Sequence, residues 1–290
     1  MKIKAFFFVI LAGILWGTSG IFVHYLAPYG ITSLQMTMMR GLVSFVCLAV
    51  FALARERSLF CVRPLDLLYF IGMGLGLFGT ASCYFISMQM TSVSTAVVLM
   101  YTAPVYVMIF SVLFLGERLS PLKLVAVASM LVGCCLVSGV IGGLKFDTTG
   151  ILIGAASGIC FAGYNILTKL AMQRGCRAPS ATLYCFLSVT VVGLVTSAPW
   201  EMIGSAAKAP TVTLPLLLAL GVVTCTLPYI FYTLAMKELP AGTASALGIV
   251  EPMSATIFSV LLFSEPLDWF SGAGIVLILL SVCLLSRTKE

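Results

Sequence analysis

The sequence contains few charged residues and a single histidine. Charged side chains make up 9% of the 290 residues, whereas a soluble domain carries roughly a quarter. Hydrophobic residues make up 61%. This small number of charges cannot cover the surface of an ordinary soluble domain of this length. We therefore expect most of the surface to face lipid.

The motifs of nucleotide-dependent and metal-dependent enzymes are also missing. There is no G-x-x-x-x-G-K-[S/T] stretch, no zinc-ligand spacing and no pattern typical of a catalytic triad. We therefore expect no cofactor, no metal site and no enzymatic activity. The stretch GLGLFG, residues 74–79, fits G-x-G-x-x-G literally, but it lies in an apolar run with no strand before it. Its glycines are expected to let two helices approach closely.

Long apolar runs occupy most of the chain. Lipid offers no hydrogen-bond partner to the backbone, so a run of about 18 or more apolar residues is typical of a membrane-spanning helix. Ten such runs predict an all-α integral membrane protein. The ten predicted spans are residues 6–26, 33–53, 67–88, 93–115, 121–140, 150–171, 180–199, 214–236, 241–263 and 269–285.

The basic residues indicate the orientation of the chain. With the N-terminus inside, thirteen Lys and Arg residues fall at cytoplasmic ends and loops, and two, Lys145 and Lys208, fall outside. This asymmetry follows the positive-inside rule. We expect a multi-pass protein of the plasma (inner) membrane with both termini cytoplasmic. The net charge of +6 therefore sets orientation and does not predict a nucleic-acid partner.

The two halves of the chain repeat one pattern. IFSVLFLGERL, residues 109–119, and IFSVLLFSEPL, residues 257–267, agree at seven of eleven positions at an offset of 148. Residues 13–16 (GILW) and 158–161 (GICF) align at an offset of 145. Each half holds five spans, an odd number, so the second half enters the membrane from the opposite side. The sequence predicts two inverted five-helix repeats, residues 1–140 and 141–290, that form one transport domain.

Inverted repeats are typical of secondary transporters, in which the halves exchange conformations and move the access to a central site from one side to the other. We therefore predict a small-molecule substrate and a lipid bilayer as the surroundings. Without an ATP-binding motif, transport is expected to be coupled to protons or to a counter-substrate. The repeat completes the bundle within one chain, which leaves a monomer or a homodimer open.

Several short motifs lie within or beside the predicted spans. They are Trp16-Gly17-Thr18-Ser19, Arg40, Pro104 with Gly116-Glu117, Tyr164-Asn165, and Glu251-Pro252 with Glu265. With these motifs, ten spans and two repeats, the chain resembles the drug/metabolite transporter superfamily of the EamA type over nearly its whole length. The resemblance implies a ten-helix bundle with a central cavity that moves small organic solutes by alternating access. It leaves the substrate open, because the family includes amino acid exporters, uptake systems for choline-like cations and carriers of nucleosides and vitamins.

Glu251 is the sharpest candidate for chemistry. It lies ten residues into the ninth predicted span, ~15 Å at 1.5 Å per residue. A charge at that depth costs at least ~2.5–3.5 kcal/mol, so it should face a partner or a wet cavity. We expect it to bind a proton or the cationic group of a solute. The alternative is a structural bond to a neighbouring helix.

Arg40 and two prolines are further candidates. Arg40 lies about seven residues into the second span. It is expected to pair with Glu251, to bind a substrate carboxylate, to extend to the outer surface, or to bond backbone carbonyls. Pro104 and Pro252 occupy equivalent places in the repeats. Each removes an N–H and frees the carbonyl four residues earlier. Such breaks shape sites or hinges in transporters, the alternative being a passive kink.

Aromatic side chains at membrane depth complete the predicted site. A buried tyrosine needs a partner for its hydroxyl, and several rings around one cavity can hold an ammonium by cation–π contact. For each ring, packing between helices is the alternative. The single histidine, His24, lies near the outer end of the first span, and its counterpart at offset 145 is Lys169. The predicted substrate-binding residues are Trp16, Ser19, Tyr84, Tyr101, Tyr164, Asn165 and Glu251.

These features favour a secondary transporter that exports amino acids or related polar metabolites. Uptake of a choline-like organic cation is the alternative within the same fold. A membrane-embedded enzyme or a lipid-handling scaffold is the alternative of a different class. A cavity that offers both Arg40 and Glu251 would favour a zwitterion, whereas an aromatic lining around Glu251 would favour an organic cation.

Overall fold

The computed structural model describes residues 2–117, 120–138, 147–264 and 268–286. All regular structure within these ranges is helical, as the sequence predicts. The α-helices are α1 (Lys2–Gly17), α2 (Ser19–Leu26), α3 (Ser33–Arg55), α4 (Pro64–Met90), α5 (Val93–Met100), α6 (Ala103–Leu115), α7 (Pro121–Val137), α8 (Thr148–Gln173), α9 (Ala178–Thr196), α10 (Pro199–Ala206), α11 (Pro210–Gly221), α12 (Leu227–Ala235), α13 (Ala241–Leu247), α14 (Val250–Phe263) and α15 (Trp269–Ser286).

The predicted spans are present as helices. Nine helical segments of the described residues are long and apolar enough to cross a membrane, and α7 is an apolar helix of 17 residues. Several helix ends differ from the predicted bounds by a few residues. The sequence places the end of the seventh span at Pro199, but α9 ends at Thr196 because Ala198 adopts a left-handed backbone (φ 48°) and Pro199 starts α10. Three predicted features lie outside the described residues. They are the end of the fifth span at Val140, the boundary between the repeats at residues 140 and 141, and Glu265.

Four spans are interrupted. The first breaks between α1 and α2 at Thr18, whose hydroxyl donates to the Leu15 carbonyl at 2.6 Å. The fourth breaks between α5 and α6, and the ninth between α13 and α14. The eighth contains a π-helical turn, Val222–Thr226, between α11 and α12. Breaks and π-turns leave backbone groups that must be satisfied inside the protein, and they are frequent at functional sites.

The helix packing follows a two-fold pattern that agrees with inverted repeats. α4 packs against α8. In the other half, α12 corresponds to part of α4 and α1 corresponds to α8, and these two helices also pack against each other. The pattern extends to single residues. A Cβ atom added to Gly13 would lie 3.1 Å from Val250 Cβ, and one added to Gly158 would lie 2.9 Å from Thr102 Oγ1. These two contacts correspond to each other at the offsets of 145 and 148.

The two ends of the bundle are named here from the predicted orientation. The outer end holds the turns at Gly30, Thr91 and Ala198. The inner end holds the ion pair between Arg174 Nε and Asp66 Oδ1, which are 3.1 Å apart. This pair joins α8 to α4 and therefore joins the second repeat to the first.

Candidate functional site

A cavity of about 610 Å³ runs from the middle of the bundle to the predicted outer end. Its size suits a small organic solute. The described lining includes one carboxylate, from Glu251, and one guanidinium, from Arg40. The other polar side chains of the lining include Ser19, Ser33, Thr37, Thr80, Tyr84, Tyr101, Ser138, Tyr229 and Thr256.

A close crossing of α1 and α14 places Trp16 and Ser19 on the same cavity as Glu251. A Cβ atom added to Gly17 would lie 2.7 Å from Ser254 Cβ and 3.0 Å from the Glu251 carbonyl oxygen. Only glycine permits this approach, because real Cβ atoms are not found so near to other heavy atoms. The Gly17 position of the Trp-Gly-Thr-Ser stretch thus has a packing role, and Trp16 and Ser19 of the same stretch line the cavity.

Glu251 lies in the first turn of α14, directly after the break in the ninth span. Its N–H donates to the Gly248 carbonyl at 2.9 Å. The carbonyl that Pro252 was expected to free is therefore satisfied by the residue before the proline. Tyr101 lines the same cavity as Glu251, its buried hydroxyl has no hydrogen-bond partner in the described part of the chain, and Tyr101 is itself placed by the break between α5 and α6. The two broken spans thus bring a carboxylate and a phenol together in mid-membrane.

Arg40 faces the same cavity from α3. Its Nη2 is 3.4 Å from Thr37 Oγ1, a long hydrogen bond within one helix turn. Its Nε has no hydrogen-bond partner in the described part of the chain. The guanidinium therefore has donors that its own helix does not saturate, which suits it to bind an anionic group.

Aromatic rings line the inner limit of the cavity. The Trp16 and Tyr229 ring centroids are 5.1 Å apart, and the Phe186 and Tyr229 centroids are also 5.1 Å apart. Both pairs meet edge to face, the geometry that aromatic quadrupoles favour. Phe161, another residue of the lining, stacks on Tyr164 at 6.0 Å. The cavity thus ends on a floor of packed rings.

Two of the predicted substrate-binding residues, Tyr164 and Asn165, lie behind this floor. Both are buried and neither lines the cavity. The Tyr232 hydroxyl donates to the Asn165 side-chain oxygen, and Asn165 Nδ2 donates to the Phe161 carbonyl at 2.7 Å. These contacts satisfy the amide within the protein. The other predicted binding residues, Trp16, Ser19, Tyr84, Tyr101 and Glu251, all line the cavity.

The two predicted hinge prolines lie in helix first turns. Pro104 is the second residue of α6, and Pro252 is the third residue of α14. A missing N–H costs little at that place, because first-turn N–H groups have no intrahelical partner. Pro252 lines the cavity, whereas Pro104 is buried and does not line it. Whether either acts as a hinge stays a prediction.

Charged side chains close the inner end. Lys169 Nζ donates to the Met236 and Leu239 carbonyls at 3.0 and 2.6 Å. Glu117 Oε1 accepts the Ala241 N–H at 2.9 Å, and Glu117 Oε2 is 3.7 Å from Lys123 Nζ. The three side chains and residues 236–241 are called the inner latch below. Glu117 joins α6 and α7 of the first repeat to α13 of the second, and Lys169 joins α8 to the end of α12 within the second repeat.

The inner latch was not predicted from the sequence. Lys123 and Lys169 are among the thirteen basic residues assigned to the cytoplasmic side, although both lie within predicted spans and both are buried. The signal that identified Glu251, a charge inside an apolar span, applies equally to these two lysines. Tyr229 and Phe186 of the cavity floor carry a weaker signal, because aromatic residues are common throughout the spans.

The profile of the EamA-like transporter family matches residues 3–139 and again residues 148–287. The chain belongs to the EamA-like transporter family. The two matches also show that the chain is built from two copies of the family unit, so this EamA-like transporter has the two-repeat fold predicted from its sequence.

Several proteins similar to this EamA-like transporter are named as transporters. An uncharacterized transporter of Archaeoglobus fulgidus is 29% identical over 96% of this chain and 95% of its own length. The threonine/homoserine exporter RhtA of Salmonella typhimurium is 28% identical over 69% of this chain and 64% of its own. A crystal structure at 18% identity superposes with a TM-score of 0.80 over 98% of both chains, which shows the same fold.

Proposed function

We propose that this EamA-like transporter exports amino acids or related zwitterionic metabolites across the plasma membrane by alternating access, with both termini in the cytoplasm. The observation that carries the proposal is that Arg40 and Glu251 line one cavity. A guanidinium suits the carboxylate of a zwitterion, and a carboxylate suits its ammonium group. The similarity to a threonine/homoserine exporter supports both the substrate class and the direction.

Glu251 is also the proposed coupling group. A carboxylate at this depth is costly when it is charged and has no partner. A proton or a substrate ammonium would each remove that cost, so the two compete for one site. Competition of this kind couples the movement of solute in one direction to the movement of protons in the other. Lipid surrounds the bundle, and one chain, alone or as a homodimer, carries the complete cavity.

Uptake of a choline-like cation is the second candidate, and the aromatic lining favours it. Trp16, Tyr84, Tyr101 and Tyr229 line the cavity together with Glu251. Aromatic faces hold quaternary ammonium groups by cation–π contact. Arg40 counts against this candidate, because its positive charge repels a cation that brings no carboxylate. The alternative of a different class is a membrane-embedded enzyme or a lipid-handling scaffold. Membership in a transporter family counts against it.

Counterflow in proteoliposomes tests the proposal. Purified protein is reconstituted with unlabelled amino acid inside, and the entry of labelled threonine, homoserine, phenylalanine or choline is followed. We expect exchange of at least one amino acid, little exchange of choline, and loss of amino acid exchange in Glu251→Gln. The matched control is Glu201→Gln, which alters an exposed carboxylate on α10 and should behave as wild type. Exchange of choline alone would overturn the proposal in favour of the second candidate.

A further inference from the structure

The residues of the inner latch have counterparts in the first repeat, at the outer end. In the described conformation no hydrogen bond joins these counterparts. Lys169 corresponds to His24 at the offset of 145, and Met236 and Leu239 correspond to Met88 and Thr91 at the offset of 148. The same two offsets relate the Gly13 and Gly158 contacts described above. The offsets that relate equivalent contacts in the middle of the bundle therefore also relate Lys169 at the inner end to His24 at the outer end.

His24 lies in the last turn of α2 and is exposed. Its ring packs against Phe263 and Tyr25, with centroid distances of 4.3 and 5.3 Å. No hydrogen bond joins it to the end of α4 among the described residues. Val23 of α2 and Met88 of α4 both line the cavity, so the space between these two helix ends forms part of the outer opening.

The end of α4 offers acceptors for a donor such as His24. The last four carbonyls of a helix have no intrahelical partner, and α4 ends at Met90. The C-terminal end of a helix also carries a partial negative charge that favours a donor or a cation. At the inner end, Lys169 meets a similar arrangement, because Met236 is the C-cap of α12 and Leu239 lies shortly beyond it.

We propose that His24 closes the outer end of the cavity by donating a hydrogen bond to the Met88 or Thr91 carbonyl when the inner latch opens. The two repeats then exchange roles: Lys169 on residues 236–239 seals the inner end in the described state, and His24 on residues 88–91 seals the outer end in the opposite state. The proposal rests on alternating access. It makes His24 a positioning residue that does not touch the solute.

Cysteine accessibility tests this exchange of roles. The ten native cysteines are replaced, Thr256→Cys is introduced on the cavity wall, and labelling by a membrane-impermeant maleimide is measured from the outside. His24→Leu should raise the labelling rate by up to about fivefold, the factor that one net hydrogen bond supplies when the outward-open state is the less populated one. Lys169→Met should lower it, because release of the inner latch favours the state that is closed outside. His24→Gln, which keeps a donor, should fall between wild type and His24→Leu.

Tyr25→Leu is the matched control, because Tyr25 neighbours His24 on α2 and packs on the same Phe263 ring. It should leave the labelling rate unchanged. Equal effects of His24→Leu and Tyr25→Leu, or a shift of His24→Leu and Lys169→Met in the same direction, would overturn the proposal.

A cross-link supplies a second readout that does not depend on transport. His24→Cys with Thr91→Cys should form a disulfide in the presence of copper–phenanthroline, and Lys169→Met should increase its yield. The pair Tyr25→Cys and Thr91→Cys should react less. A yield no greater than that of this control pair would contradict the role of His24. If wild-type protein fails to exchange any amino acid while the cross-link behaves as expected, the proposed substrate is wrong and the outer closure stands.

Discussion

The Glu117 carboxylate accepts a hydrogen bond from the Ala241 N–H at 2.9 Å, across the boundary between the two repeats. Its other oxygen faces the buried ammonium of Lys123. One side chain thus satisfies the first turn of α13 and neutralises a lysine that water scarcely reaches. In the described state this contact joins the two repeats at the predicted inner end, while the cavity with Arg40 and Glu251 opens toward the predicted outer end.

Glu117→Ala is expected to destabilise the protein by about 3 kcal/mol, because removing one partner leaves a buried charge uncompensated. Thermal unfolding in detergent should show a lower midpoint for this variant. Glu56→Gln is the control, since Glu56 pairs with Arg177 at an exposed site and such pairs contribute roughly 0–1 kcal/mol. A Glu117→Ala midpoint no lower than that of Glu56→Gln would show that the inner latch is not stabilising.

Tyr232→Phe is expected to lower stability by about 1–3 kcal/mol, because it leaves the buried Asn165 oxygen without its donor. It should leave the affinity for substrate unchanged, since neither residue lines the cavity. Solute binding and the unfolding midpoint, measured on the same preparation, separate these effects. A large loss of affinity with no loss of stability would return Asn165 to the binding site that the sequence assigned to it.

The spans and their inverted arrangement follow from the sequence because they depend on composition, charge asymmetry and one strong internal repeat. The helix breaks around Pro104 and Pro252 follow as well, because proline acts locally. The break at Thr18 and the π-turn at Val222–Thr226 do not follow. The Thr18 hydroxyl bonds the Leu15 carbonyl within its own helix turn, and no apolar pattern marks such a local bond. The π-turn is joined to α3 by Ser44, which donates to the Gly221 carbonyl, and this contact forms only once the helices are packed.

The candidate site follows from the sequence only in part, for a similar reason. Glu251 and Arg40 can be recognised one at a time, because a charge in an apolar span needs a partner or water. Tyr84 and Tyr164 look alike in the sequence, yet Tyr84 faces the cavity and Tyr164 lies behind its floor. The difference depends on the rotation of α4 and α8 about their axes. Helices that are apolar on every side carry no periodic pattern that specifies this rotation.

Gly74→Ala tests the close packing assigned to the GLGLFG stretch. An added Cβ atom would overlap the Cys185 carbonyl oxygen and lie 2.6 Å from Ser188 Cβ, so α4 and α9 would have to separate. Such overpacking costs about 1–3 kcal/mol. Gly163→Ala is the matched control, because nothing lies within 4 Å of its added Cβ atom. Equal unfolding midpoints for the two variants would contradict the packing role of Gly74.

Equilibrium binding of a zwitterion and its two truncated analogues tests the central claim most directly. The ligands are one amino acid, the amine that lacks its carboxylate, and the acid that lacks its ammonium group. They are compared on wild type, Arg40→Met and Glu251→Gln. We predict that wild type prefers the amino acid over both analogues, that Arg40→Met loses the preference over the amine, and that Glu251→Gln loses the preference over the acid. If both variants keep the wild-type preferences, Arg40 and Glu251 do not bind the charged groups of the solute, and the account of the cavity is wrong.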